Sequence, residues 1–180
     1  MSSASPPPAS LVRRAGAADA EAIGRLLHDF NAEYEMATAS PAAIAERIRS
    51  LLAEEPRFTV LLAGGRGGAG SADDEPDADG AGAREPVGFA VLRFRAALAS
   101  AGLECYLAEL YVVPAARGRG LGRALMETAI ALARAEGADW IDLGTSEDDH
   151  AARALYESLG FVNREGGPDG PVSYVYELEL

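Results

Sequence analysis

The residues best suited to chemistry lie in one segment rich in glycine and arginine, VVPAARGRGLGRAL, at positions 112–125. Its three glycines, a residue type that lets the backbone approach a ligand closely, are Gly118, Gly120 and Gly122. Its three arginines are Arg117, Arg119 and Arg123. A helical pattern begins near Gly120, and the unpaired N–H groups and the dipole at a helix start favour an anion. The segment therefore predicts a cradle for a diphosphate.

The spacing of the glycines separates this segment from two common phosphate-binding motifs. A dinucleotide fingerprint has the pattern G-x-G-x-x-G, and counted from Gly118 its third glycine would fall on Arg123. A phosphate loop ending in GK[ST] is also absent, since the chain contains no lysine. The pattern that remains is R-x-x-G-x-G, at Arg117, Gly120 and Gly122. A glycine-rich turn without a ligand is the alternative reading.

Two stretches together resemble the GNAT superfamily of N-acetyltransferases. The residues Leu110–Pro114, followed closely by RGRGLG, resemble the acetyl-CoA signature of that superfamily. Further along, ALYESLGF at Ala154–Phe161 resembles its second signature, a helix that bears a tyrosine and ends in Gly-Phe. Both occur in the expected order and spacing. The resemblance covers residues 11–180 in the order of elements and residues 103–163 in motif detail.

The resemblance implies how acetyl-CoA binds. Two parallel strands, one ending at Val113 and the other at Trp140–Gly144, would splay apart to admit it. The backbone of Val112 and Val113 would pair with the pantetheine arm. The Val112 N–H would hold the thioester carbonyl, where negative charge develops. Asp149 stands where the family often has Asn, which alters the usual contact there. The cofactor-binding residues implied are Leu110, Val112, Val113, Arg117, Gly118, Arg119, Gly120, Gly122, Arg123 and Asp149.

The same resemblance suggests the catalytic groups. Tyr156 is the candidate general acid, because a phenol can protonate or hydrogen-bond to the leaving thiolate. The alternative is that Tyr156 only packs against the cofactor. Glu109 is the first candidate for a base or amine binder, and Glu104 on the same strand is the second. Strand alternation puts Glu109 on the same side as Tyr111, so a solvent-facing carboxylate is the alternative for it.

The acceptor side is less defined by the sequence. In the family, the loop after the first helix often borders the substrate mouth, which makes Glu33 and Tyr34 candidate substrate contacts. The two histidines and the single cysteine, Cys105, make no metal-ligand spacing, so no metal is expected. A G-x-S-x-G elbow is absent, which removes support for a hydrolase triad.

The elements that must position these residues follow from apolar periodicity. Helices are predicted at 19–35 with Asp19 as the N-cap, from a Ser40-Pro41 start through Leu52, and at 120–135 and 149–159. Strands are predicted at 11–14, 58–63, 87–94, 103–113, 140–144, from 161 to 164 and at 174–180. This order predicts an α/β (α+β) fold with a mixed, mostly antiparallel sheet and helices on both faces. Two central parallel strands would form the V-shaped splay that the resemblance implies.

The chain is expected to form one N-acetyltransferase domain over residues 11–180, since its 180 residues suit a single domain. Residues 1–10 are expected to be a disordered tail. Residues 64–85 are expected to be a flexible acidic loop, because they lack the large apolar side chains that offset ordering entropy.

Charge and composition narrow the partners. The net charge is −12, which argues against nucleic acid, since binding there requires phosphate neutralisation. It suits a cationic substrate such as an amine, although a solubilising surface explains it equally well. A single cysteine, no signal-like start and no long apolar run predict a cytoplasmic chain without a membrane partner. A homodimer, common in the family, is a further expectation.

The predicted function is transfer of an acetyl group from acetyl-CoA to a primary amine, by direct attack on the thioester. The acceptor is expected to be a small molecule. Two alternatives stay open at this point. One is a non-catalytic acyl-CoA-binding sensor on the same fold, which would have the same glycine loop. The other is a peptide or protein N-acetyltransferase, which would need a groove that the sequence does not reveal.

Overall fold

The computed structural model describes residues 11–64, 85–165, 169–175 and 178. The tail predicted at residues 1–10 and the loop predicted at 64–85, apart from Gly64 and Glu85, lie outside the described residues. The strands are β1 (Val12–Arg14), β2 (Phe58–Gly64), β3 (Pro86–Ala96), β4 (Leu103–Val112) and β5 (Ala138–Leu143). The helices are α1 (Ala20–Glu33), α2 (Pro41–Glu54), α3 (Leu121–Ala135) and α4 (His150–Ser158). Short 3-10 turns lie at Ala17–Asp19 and Pro114–Ala116.

The described strands form one mixed sheet in the order β1-β2-β3-β4-β5. Each neighbouring pair is antiparallel except β4 and β5, which run parallel. A parallel connection needs a crossover, and α3 supplies it between the two strands. This arrangement confirms the predicted fold class, a mixed and mostly antiparallel sheet with one parallel pair.

Strand β4 is where the sheet opens. Its pairing with β5 runs from Leu103 to Leu107, which lies opposite Leu143, while β4 itself continues to Val112. On its other side, Val91 lies opposite Glu109 but Leu92 lies opposite Leu107, so Ala108 is an extra residue in β4. Such a bulge bends the strand and increases its local twist. The bulge therefore lies directly after the last β4–β5 pair, at the place where the resemblance implies a V-shaped opening.

Helices cover both faces of the sheet, as predicted. On one face α3 and α4 bury Leu125, Met126 and Tyr156 against sheet residues that include Leu92 and Leu107. On the other face α1 and α2 pack over a second cluster, whose largest buried side chains include Ile23 and Phe89. Each fully buried aliphatic side chain stabilises the fold by about 1.5–3 kcal/mol. The two layers hold β4 rigidly between them.

The starts of α1 and α2 differ in how they are capped. The Ser40 hydroxyl accepts a hydrogen bond from the Ala43 N–H at 3.3 Å, and Pro41 occupies the first helical position, as predicted. Asp19 directly precedes α1, but its side chain makes no bond to that helix. It turns back instead, accepting from the Gly16 N–H at 2.9 Å and from the Arg13 guanidinium. The predicted Asp19 cap of α1 is therefore wrong, because a stronger charged partner holds the carboxylate.

The strands predicted near the C-terminus do not form in the described residues. No strand forms over residues 161–165 or 169–175 of the described chain, where Arg164 makes only an isolated antiparallel bridge to Val172. Tyr174 and Val175, predicted to begin the last strand, are 74% and 70% exposed. The alternation was a signal for a half-buried strand, and these side chains cover no core. Four residues of that prediction, 176, 177, 179 and 180, lie outside the described residues.

Candidate active site

The glycine loop joins the end of β4 to the start of α3. Gly118 and Gly120 have φ values of 74° and 80°, in the left-handed region that favours glycine. Open space surrounds both positions, since a Cβ added there would meet no atom within 4 Å. The backbone conformation, and not crowding, therefore requires glycine at these two positions. Gly122 differs, because a Cβ there would lie 3.5 Å from Leu155 of α4.

The loop presents free backbone donors. The first bond of α3 runs from the Ala124 N–H to the Gly120 carbonyl at 3.0 Å. The N–H groups from 118 to 123 donate to no other residue within the part of the chain that the structure describes. No side chain caps this end of α3, and residues 117–120 are exposed. Free amides together with the helix dipole favour an anion at this loop, and the diphosphate cradle stays a prediction.

The three arginines of the segment do not share one role. Arg123 donates to the Ser158 hydroxyl at 2.6 Å and lies 3.8 Å from a Glu127 oxygen. Arg117 donates to the Val112 carbonyl and to Glu33. Arg119 makes no hydrogen bond or ion pair with any described residue. Arg119 is therefore the arginine of this loop whose charge is available to an incoming phosphate.

Val112 presents its backbone to the opening of the sheet. The Val113 N–H donates to the Val87 carbonyl at 2.9 Å, and the Val113 carbonyl accepts from the Ala116 N–H. Because antiparallel strands alternate the direction of their backbone groups, those of Val112 point away from β3. Leu110, two residues earlier, has the same orientation. The geometry thus favours the Val112 N–H as the backbone partner of a ligand, since the Val112 carbonyl accepts from Arg117 and both backbone groups of Val113 are bonded within the chain.

Tyr156 lies on α4 beside this opening. Its side chain is buried, and its ring lies 5.9 Å from that of Phe161. Burial, followed by the nearby charge of Asp149 and the Tyr34 phenol, raises the pKa of Tyr156 to about 12. The phenol therefore keeps its proton at neutral pH and is a hydrogen-bond donor. Asp149 caps α4, since its carboxylate accepts from the Ala152 N–H at 3.0 Å.

The end of α1 meets the start of α4 at this place. Burial raises the pKa of Tyr34 above its ordinary value, and the charges of Asp149 and Glu33 add to the rise. The Tyr34 ring packs on Phe30, with 5.1 Å between ring centroids, and Phe30 packs in turn on Tyr111. Tyr34 is still 51% exposed. The structure thus brings the candidate mouth residues Glu33 and Tyr34 to the same region as Tyr156.

Glu109 follows the bulge of β4. It lies opposite Val91, and Tyr111 lies opposite Phe89, so both face the layer of α1 and α2, as strand alternation predicted. Burial raises the pKa of Glu109 above its ordinary value, and the positive charge of Arg93 partly offsets the rise. A raised pKa moves a carboxylate toward the range in which a general base works at neutral pH. Its partial burial disfavours the solvent-facing alternative.

Glu104 lies apart from the other candidates. Its partner on β3, Arg95, lies four residues from Val91, the partner of Glu109, which is about 13 Å along the sheet at 3.3 Å per residue. Its carboxylate is paired with Arg95, which lies opposite it on β3. The structure therefore commits Glu104 to a structural ion pair at the far end of β4. The described chain contains no group of three His, Cys, Asp or Glu residues that could hold a metal ion.

Two residues at this site were missed in the sequence. Asp142 of β5 lies opposite Tyr106, on the face of the sheet that Glu109 shares. Its Oδ1 atom is buried and finds no hydrogen-bond partner among the described residues. An acid at an alternating position of a half-buried strand, WIDLG, was the available signal. The second residue is Tyr111, whose ring lies beneath the Arg117 guanidinium, with 5.6 Å between the guanidinium carbon and the ring centroid.

Comparison with known proteins gives the same picture over most of the chain. The family model described as Acetyltransferase (GNAT) family matches residues 28–161. The crystal structure of a protein from Arthrobacter sp. FB24, described as an acetyltransferase, superposes with a TM-score of 0.76 and 35% identity. That similarity covers 98% of this chain and 100% of the other. No helix in the described part of the chain is both long and apolar enough to cross a membrane.

Two further relatives match very different shares of this chain. A mycothiol acetyltransferase of Beutenbergia cavernae is 47% identical over 57 residues, which are 30% of this chain and 19% of that protein. The chain thus matches only a small part of the length of this relative. An aminoglycoside acetyltransferase from an uncultured soil metagenomic sample shares the fold, with a TM-score of 0.65 and 17% identity. That similarity covers 93% of this chain and 95% of the other.

The family match extends well beyond the two signatures from which the resemblance was read. The structural similarity extends over nearly the whole chain. Members of this family use acetyl-CoA as a co-substrate. The chain belongs to the GNAT acetyltransferase family.

Proposed function

We propose that this enzyme transfers the acetyl group of acetyl-CoA to a primary amine of a small molecule. The observation that carries the proposal is the set of free amides from 118 to 123, in the loop that follows the part of β4 no longer paired with β5. These amides would hold the pyrophosphate, and Arg119 would add an unpaired positive charge. The Val112 N–H would donate to the thioester oxygen as negative charge develops there.

The acceptor amine attacks as the neutral base, since its ammonium form has no lone pair. Glu109 is the proposed acceptor of the departing proton, and its burial supports this role by raising its pKa. The new C–N bond forms as the C–S bond breaks, which leaves an amide and the thiolate of CoA. Glu109 then returns its proton to solvent.

Tyr156 is proposed to stabilise the leaving thiolate by hydrogen bonding. An ordinary thiol has a pKa of about 8.5, whereas the pKa of Tyr156 is about 12. Complete proton transfer from this phenol to the thiolate is therefore uphill by roughly 3.5 pKa units, or about 5 kcal/mol. A hydrogen bond to the charged sulfur avoids that cost, and the thiolate takes its proton from water after release.

The proposed acceptor side of the sheet carries two carboxyl groups, with Arg93 near one of them. Glu109 and the unpartnered Asp142 oxygen lie on the same face, on neighbouring strands. This charge suits a cationic amine. The relatives named as mycothiol and aminoglycoside acetyltransferases also favour a small-molecule acceptor over a peptide. Glu33 and Tyr34 are proposed to border the acceptor entrance. A cytoplasmic location and a homodimer stay predictions.

The test is release of free thiol from acetyl-CoA against a panel of polyamines, aminoglycosides, amino acids and short peptides. Each active amine is run beside the alcohol of the same skeleton, which should give no release. Turnover with one amine class supports the proposal and names the acceptor class. Turnover with peptides alone would favour a peptide acetyltransferase. Acetyl-CoA binding without any turnover would favour the sensor alternative, and absence of binding would refute the role of the glycine loop.

A further inference from the structure

Arg117 connects three parts of the molecule that are distant in sequence. Its Nε donates to the Val112 carbonyl at 2.8 Å. Its Nη2 lies 2.8 Å and 2.7 Å from the two carboxylate oxygens of Glu33, the last residue of α1. Its guanidinium also lies over the ring of Tyr111, within the range of a cation–π contact. One side chain thus joins the glycine loop, the end of β4 and the end of α1.

The contacts of Arg117 differ from those of an ordinary surface ion pair. The Glu33 side chain is 29% exposed, and Tyr111 beneath the guanidinium is 5% exposed. Burial raises the pKa of the Tyr111 phenol above its ordinary value, and the neighbouring Glu33 adds to the rise. The planar guanidinium uses both an edge and a face here, an arrangement that a lysine cannot reproduce. The side chain is therefore held in one orientation.

This arrangement links the two halves of the proposed site. On one side, Arg117 begins the loop whose amides from 118 to 123 are free, and it fixes the carbonyl of Val112. On the other side, Glu33 is directly followed by Tyr34, whose pKa responds to Arg117, Glu33 and Asp149. Any ligand that orders the loop must therefore also restrict the end of α1. The reverse coupling must be equally strong, because linkage is reciprocal.

We infer that Arg117 is a positioning residue that couples acetyl-CoA binding at the glycine loop to ordering of the acceptor entrance at the end of α1. The inference rests on the proposed function, since it takes the loop as the pyrophosphate site. In this role the Arg117 guanidinium pairs with Glu33 and does not bind phosphate. Arg119 is left to meet the phosphate.

Hydrogen exchange with CoA as the probe tests this coupling without knowledge of the acceptor. In the wild type, CoA should slow exchange in peptides covering 117–124 and also in peptides covering 30–36. The effect at 30–36 should be about two- to fivefold, the range of a partly exposed ion pair. In Arg117→Gln and in Glu33→Gln, CoA should still protect 117–124, while protection at 30–36 disappears.

Arg25→Gln is the matched control. It breaks another ion pair of α1, between Arg25 and Glu85 at 2.7 Å, which includes neither Glu33 nor a residue of the glycine loop. We expect this variant to keep the wild-type protection in both regions. The double variant Arg117→Gln/Glu33→Gln should behave like either single variant, because the two residues act as one unit. With an active acceptor, Arg117→Gln, Glu33→Gln and the double variant should all lose the same factor in kcat/KM for that acceptor.

The outcomes distinguish failure of the coupling from failure of the proposed function. Protection of 117–124 without protection of 30–36 in the wild type would overturn the coupling and leave the proposed function standing. Retained protection of 30–36 in Arg117→Gln, or losses that multiply in the double variant, would also overturn it. If CoA protects neither region, the proposed function fails, and the coupling fails with it.

Discussion

Replacing Tyr156 by Phe tests how this enzyme handles its leaving group. The Tyr156 hydroxyl makes no hydrogen bond to any described residue, so the substitution keeps the ring packing against Phe161 and should leave the fold intact. A hydrogen bond to a charged group contributes about 1.5–3 kcal/mol. Deleting one from the transition state should therefore lower kcat by about 10- to 150-fold. Affinity for acetyl-CoA should change little, because the bond forms mainly as the thiolate develops.

The assay is steady-state thiol release with the best amine of the panel, together with acetyl-CoA binding to both proteins. Because the pKa of Tyr156 is about 12, the phenol stays protonated across the usual assay range. The ratio of wild-type to variant kcat should therefore be constant from about pH 6 to pH 9. A ratio within about threefold of unity would refute any role of the phenol in the chemical step. A ratio above about 10⁴ would indicate complete proton transfer instead.

The same phenol sets an alkaline limit on stability. Its folded-state pKa of about 12 lies above the ordinary 10.0, so the folded form holds the proton more tightly than the unfolded form. The sign of the linkage follows directly: this stability is fully present below pH 10 and is lost as pH rises toward 12. In urea unfolding, Tyr156→Phe should lose less stability than the wild type over that interval. Equal slopes would argue that the phenol is not buried.

Three further predictions concern the base and the glycine loop. Glu109→Gln should lower kcat/KM by about 10²-fold or more and abolish the acid limb of the pH profile. In the wild type this limb should lie above the ordinary pKa of Glu, because burial raises the pKa of Glu109. An unchanged acid limb in the variant would point to another base. Gly120→Ala forces a side chain into a left-handed conformation, so it should cost about 1–2 kcal/mol in thermal unfolding and weaken acetyl-CoA binding, whereas an unchanged Tm would contradict that backbone geometry. Arg119→Ala should weaken acetyl-CoA binding by about two- to fivefold at low salt and less at high salt in calorimetric titration, and Arg123→Ala should have a smaller effect because Ser158 and Glu127 already engage that side chain.

Local signals in the sequence predicted most of the fold. The start of α2 at Ser40-Pro41 was correct because a cap and a proline act within a few residues of the chain. The last strands were predicted from alternation alone, and Tyr174 and Val175 show why that was insufficient, since a strand also needs a partner and a surface to cover. The prediction that Asp19 caps α1 was wrong for a related reason, because the Asp19 carboxylate pairs with Arg13 instead.

The sequence by itself determined the family and the order of the elements from β1 to α4. Spacing and residue type were also enough to specify the turn that opens α3, because these signals are local. Only the tertiary structure decided which partners the arginines of this loop have. Arg117 meets Glu33, 84 positions away in sequence, and Arg119 is left free for phosphate. Burial, which depends on every packed neighbour, raised the pKa of Tyr156 and made it a donor that keeps its proton. Contacts of this kind depend on how the chain returns on itself, and no local pattern encodes them.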